Sequence, residues 1–137
     1  MIRVNVSGRV PARLKSGLLE RAIRETFKAA RRRPRGEVAV RFVSDNDIKS
    51  LNRLYRGINK PTDVLSFSAE PPVDWGDVII AAAFAKKEAS LRGVPMAEEL
   101  VRLAVHGVLH LMGYDHVLKK EGTRMLALQE KVVSNVF

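Results

Sequence analysis

The chain has 137 residues, no cysteine and 46% hydrophobic residues, the size of one domain able to bury about two-thirds of its unfolded surface without a disulfide framework. No apolar run approaches the ~18 residues of a membrane span, and Met1-Ile2-Arg3-Val4-Asn5-Val6 alternates like a strand rather than a signal peptide, so a cytoplasmic protein with no membrane partner is expected. The net charge of +9 is uneven, with 16 Lys/Arg against 5 Asp/Glu in residues 1–60 and 8 against 10 in residues 61–137, which points to a polyanion such as nucleic acid, or more plainly to an arginine-rich solvated surface.

Residues 2–6 form a first strand, with Ile2, Val4 and Val6 on one face. A helix is expected over 11–32. Leu14, Leu18, Leu19, Ala22, Ile23, Phe27 and Ala30 make its apolar face, and Arg21, Arg24, Lys28 and Arg31 or Arg32 its basic one. Pro34 and Gly36 break it. Residues 37–43 alternate as a second strand. Strand, helix, strand at this length predicts a right-handed βαβ unit with parallel strands.

Ser44 caps a short helix over 45–56, with Asp45 and Asp47 supporting its first turn and Gly57 ending it. Ile48, Leu51 and Leu54 or Tyr55 are its expected buried side. Pro61 keeps Lys60 extended. Residues 63–68 form a strand with Leu65 and Phe67 on one side and Ser66 and Ser68 on the other. One polar face suits a sheet edge or a groove wall. A loop from Ala69 to Trp75 precedes a central apolar strand over 76–81. A helix over 83–91 leads to Gly93, a second spans 95–112, and a last one spans 119–134. The expected fold is a single α/β domain over 1–137, a four-stranded mixed sheet packed against the buried 95–112 helix.

That helix is apolar nearly all round, which marks it as buried. Its later polar positions are Arg102, His106 and His110, in steps of four. The chain's three histidines all fall within His106-Gly107-Val108-Leu109-His110-Leu111-Met112-Gly113-Tyr114-Asp115-His116. His106 and His110 stack on one helix face. Gly113 can turn left-handed and end the helix, which lets His116 return to the same point. Three neutral imidazoles converging there suit a tetrahedral zinc with an open fourth position, the mark of a catalytic site. One ion per chain is expected, and another divalent transition metal would also fit. Helix-capping and core histidines are the plainer alternative.

The spacing HxxxHxxGxxH resembles the metzincin zinc-peptidase motif with one change. Those peptidases carry a glutamate base after the first histidine, and Gly107 stands there instead. The metal cradle is kept and the base is gone. Gly107 is expected to leave room beside the metal for a bulky ligand.

Leu51-Asn52-Arg53-Leu54-Tyr55-Arg56, Pro61-Thr62-Asp63-Val64-Leu65-Ser66-Phe67 and Gly76-Asp77-Val78-Ile79-Ile80 resemble successive blocks of the YbeY family of bacterial endoribonucleases. His106 to His116 matches that family's HGxLHLxGYDH signature at every specified position. One departure is Asn59, where an acidic residue is usual. The resemblance implies an α/β fold and a metal held by His106, His110 and His116. It further implies single-strand-specific, metal-dependent cleavage of RNA in 16S ribosomal RNA 3′-end maturation and ribosome quality control. The RNA partner would be the 16S precursor, with the small subunit or assembly factors presenting it. The oligomeric state, the native metal and the cleavage site are not encoded legibly.

Zinc would polarise a phosphoryl oxygen or lower the pKa of its water toward about 7, unless the RNA 2′-hydroxyl attacks. Arg56 matches the family's functional arginine, and a guanidinium there would grip phosphate and stabilise growing charge. A surface arginine at a helix end is its bland alternative. Asp115 would orient an imidazole or cap the turn. Tyr114 is assigned to packing, Asp63 to an Asx turn, and Ser66 to the groove wall rather than to nucleophilic attack. Two other functions are weighed. A zinc-dependent metallopeptidase-like hydrolase would pair a peptide along residues 63–68. A non-catalytic RNA-binding assembly factor would use its zinc structurally, for which three protein ligands are one too few.

Overall fold

Alternating apolar residues build a four-stranded sheet from β1 (Arg3–Gly8), β2 (Glu37–Val43), β3 (Val64–Glu70) and β4 (Asp74–Ala81), ordered β1-β2-β4-β3. The computed structural model describes residues 1–115 and 119–137. β1 and β2 pair in parallel, as do β2 and β4, whereas β3 runs antiparallel to β4. β2 and β4 are therefore interior and β3 is an edge, as its polar face required. α1 (Leu18–Ala29) is the crossover between the parallel strands β1 and β2. The remaining helices are α2 (Asp45–Arg56), α3 (Ala82–Arg92), α4 (Met96–Leu111) and α5 (Lys119–Val136).

The two sheet faces are covered unequally. Val38, Val40, Phe42, Val78 and Ile80 meet α1, α4 and α5 in the main core. Leu65, Ile79 and Ala81 meet Ile48 of α2 in a smaller cluster on the opposite face. The histidine helix α4 is buried as expected, with Leu100, Val101, Ala104, Val105, Val108 and Leu109 all inside. Its first turn carries a buried carboxylate, Glu99, paired with Arg92 across the α3–α4 corner.

Several boundaries move. α1 begins at Leu18, not residue 11. Leu14 donates its N–H to Pro11 and Leu18 to Lys15, so residues 11–17 form turns, and Gly17 sits at φ 82°, outside right-handed helix. The helix also stops at Ala29, before Pro34, because Arg31 turns left-handed at φ 55°. β3 continues to Glu70 and β4 starts at Asp74, so the expected loop shrinks to three residues.

α2 departs in a way that matters. Ile48 is buried as expected, but Leu54 is 72% and Tyr55 63% exposed, and the second fully buried position is Asn52. The first turns of α2 lie over the sheet, while its last turn overhangs the free edge of β3. Tyr55 there packs on Phe67 of that edge strand yet stays mostly in water.

Candidate active site

Burial of α4 fixes two imidazoles at its C-terminal end. The rings of His106 and His110 stand nearly perpendicular, at 80°, with their Nε2 atoms 3.1 Å apart. Each Nδ1 faces an oxygen. That of His110 lies 3.0 Å from the Tyr114 carbonyl, which can only accept, so this nitrogen carries the proton. That of His106 lies 2.8 Å from Gln129 Oε1. The Gln129 amide is oriented because its Nε2 donates to Glu130 at 3.1 Å. With Nδ1 as the donor in each ring, both Nε2 atoms present their lone pairs to one small space, where a cation would draw them together. A tetrahedral ion held at ~2.0–2.1 Å places two such nitrogens roughly 3.3–3.4 Å apart, close to the spacing found. The donor set fits a metal.

The turn after α4 follows the sequence expectation. Gly113 sits at φ 97°, its N–H donates to His110 and that of Tyr114 to Leu109, which is a Schellman ending. His116, the third expected ligand, lies outside the described residues. Among the described residues no three His, Cys, Asp or Glu side chains converge.

Arg56 faces the same space from the other side of the sheet. A cleft of about 670 Å³ is lined by Tyr55 and Arg56 of α2, by Ser66 and Phe67 of β3, and by His106 and His110. The cleft crosses the free edge of β3. Arg56 is placed by the end of α2, where Gly57 turns left-handed at φ 69° and the buried Asn52 amide donates to the Lys60 carbonyl at 2.9 Å. Its guanidinium is exposed and makes no ion pair among the described residues.

A family model described as Endoribonuclease YbeY matches residues 6–136. The chain belongs to the YbeY endoribonuclease family. A relative called Endoribonuclease YbeY from Persephonella marina is 44% identical over 107 residues, which is 73% of this chain and 70% of that one. Another of that name, from Geobacillus thermodenitrificans, is 44% identical over 131 residues, 85% of this chain and 83% of its own. The solution structure of TM1509 from Thermotoga maritima is 31% identical and superposes with a TM-score of 0.68, covering 99% of this chain and 89% of that one.

In this YbeY chain Gly107 does not open space at a metal. A Cβ there would lie 2.6 and 2.8 Å from the two Val78 methyls and 3.0 Å from Ser66 Oγ, so the position faces the sheet and lets α4 close on it. The same packing leaves no room for a glutamate base at 107. Gly107→Ala is expected to cost about 1–3 kcal/mol by overpacking, and Val78→Ala in the same chain should return part of it. Urea unfolding checks this; an unchanged midpoint in Gly107→Ala would show the close approach to be absent.

Ser66 lines the cleft as expected, but its hydroxyl donates to the Gly107 carbonyl at 3.3 Å. Asp63 also lines the cleft, where its carboxylate accepts from the Thr62 hydroxyl at 3.4 Å; among the described residues no turn N–H reaches it, so the Asx turn is not formed. Tyr114 is partly buried against the core, as packing requires, yet its carbonyl also orients His110. The Asp115 N–H donates to Glu121 at 2.9 Å. The Nδ1 atoms of His106 and His110 are engaged by Gln129 and Tyr114.

Gln129 was not anticipated. It ends a chain in which Arg102 grips Glu130 through two bonds of 2.9 Å, Glu130 fixes the Gln129 amide, and Gln129 fixes His106. The hydrogen bonds from Arg102 hold the Glu130 carboxyl below its usual range, and Glu130 in turn raises the guanidinium. The only advance sign was Arg102, one helical step of four before His106.

Proposed function

We propose that this protein is a metal-dependent endoribonuclease that cuts single-stranded RNA and acts in 16S ribosomal RNA 3′-end maturation, with the small subunit or its assembly factors presenting the substrate. The observation that carries it is the meeting of Arg56 with His106 and His110 in one cleft. His106, His110 and His116 are the residues that would hold one zinc or similar ion. When bound, such an ion supplies a Lewis acid beside the phosphoryl group.

The chain's own residues do the rest. Gln129 and the Tyr114 carbonyl fix both rings through Nδ1, which leaves Nε2 as the atom each ring offers to an ion. Arg56, in no ion pair among the described residues, can take two phosphate oxygens and stabilise charge that grows on them. Ser66 is spent on the Gly107 carbonyl and offers no nucleophile.

The test uses purified protein with its metal content measured. End-labelled single-stranded RNA, the same RNA in a duplex, and casein are offered in parallel. Cleavage of the single strand alone, lost on chelation and restored by zinc or another divalent transition metal, is expected. Release of casein peptides with intact RNA would transfer the site to the peptidase class.

A further inference from the structure

We propose that Tyr55, braced by Phe67, is a stacking platform for an unpaired nucleobase next to the phosphate gripped by Arg56. This inference rests on the ribonuclease reading and adds a subsite to it. Tyr55 is 63% exposed, an unusual state for a large apolar ring that packs on a sheet edge. It is nevertheless not loose. Its ring lies 5.0 Å, centroid to centroid, from that of Phe67 at 61°, and Phe67 is itself partly buried against the Ile48–Leu65–Ile79 cluster. The strand thus holds the tyrosine upright while most of its surface stays in water.

Position identifies the ligand. Tyr55 and Phe67 line the same cleft as Arg56, His106 and His110. Tyr55 precedes Arg56 directly at the end of α2, and both residues line this one cleft. A phosphate held by Arg56 leaves an adjacent base within reach of the ring. Every base has a π-face, so such a platform tolerates any sequence. A base inside a duplex is already stacked on both sides and cannot offer its face. Selection for single strands then arises at Tyr55 through binding.

The variants are Tyr55→Ala, Tyr55→Phe and Tyr55→Trp, each in the metal-loaded protein. The probe is a short single-stranded 2′-O-methyl phosphorothioate oligonucleotide that resists cleavage, with binding read by fluorescence anisotropy. A second probe carries one abasic residue, moved along the strand. Loss of one base stack, about 1–3 kcal/mol, converts to a roughly 5- to 150-fold weaker Kd for Tyr55→Ala. Tyr55→Phe and Tyr55→Trp should bind like the parent. At one position the abasic residue should weaken the parent and leave Tyr55→Ala unaffected, a coupling that a merely structural tyrosine would not produce. Equal Kd values for parent and Tyr55→Ala, or no abasic position that distinguishes them, would overturn the platform. Cleavage of unmodified RNA by the parent is scored separately. An active parent whose affinity ignores Tyr55 overturns the platform alone. An inactive parent that shows the Tyr55 coupling keeps the platform and overturns the ribonuclease reading.

Discussion

Replacing His110 with alanine should abolish metal binding and RNA cleavage together. The ring provides one of two Nε2 atoms that face each other at 3.1 Å, and no other described side chain can take its place at that spacing. Removal of Gln129 supplies a graded comparison. Gln129→Leu keeps both rings but frees the Nδ1 side of His106, and loss of such an outer partner typically weakens metal affinity by about 10–100-fold. The expected order of metal retention is therefore parent, then Gln129→Leu, then His110→Ala. Elemental analysis after dialysis against a buffered metal, with thermal unfolding as a check on the fold, measures it. Full occupancy in His110→Ala would remove the histidine site from the protein. Equal retention by parent and Gln129→Leu would reduce the Gln129 contact to packing.

Arg56→Ala should keep the fold and the metal but slow cleavage by about 10²-fold or more, the scale for loss of an electrostatic stabiliser. The residue is exposed, carries no ion pair among the described residues and caps no neighbour, so little stability depends on it. Arg56→Lys should recover only part of the rate, because an ammonium keeps the charge without the planar two-point grip. Single-turnover cleavage of a short single-stranded RNA, with protein in excess and metal content matched, separates this from a helix-end role. Normal rates in both variants would return Arg56 to the surface. A rate fully restored by lysine would keep the charge and discard the bidentate geometry.

The sheet was readable because its signals are local. β2 and β3 show period-two alternation, and the βαβ spacing leaves one handed solution for β1 and β2. The meeting of Arg56 with the histidines was legible only through family resemblance, since 50 residues and the edge of a sheet separate them in the chain. Two features escaped for tertiary reasons. The apolar stripe of α2 announces burial for Leu54 or Tyr55, but periodicity cannot tell where the sheet beneath a helix reaches its edge. Gly107 reads as room for a ligand until β4 is placed against it, at which point the same missing Cβ becomes room for Val78. Gln129 gave no pattern at all, because a single amide on a long amphipathic helix is indistinguishable from surface until the helix docks.

That docking links catalysis to the end of the chain. Gln129 belongs to α5, and its hold on His106 exists only while α5 lies against α4. Peeling α5 away therefore breaks the orientation of the His106 ring, and an ion held by that ring would oppose the peeling by the affinity it loses with Gln129, about 10–100-fold or roughly 1.4–2.7 kcal/mol. Docking of α5 and occupancy of the histidines by an ion would then strengthen one another, so that stripping the metal should speed amide exchange in α5 more than in α4.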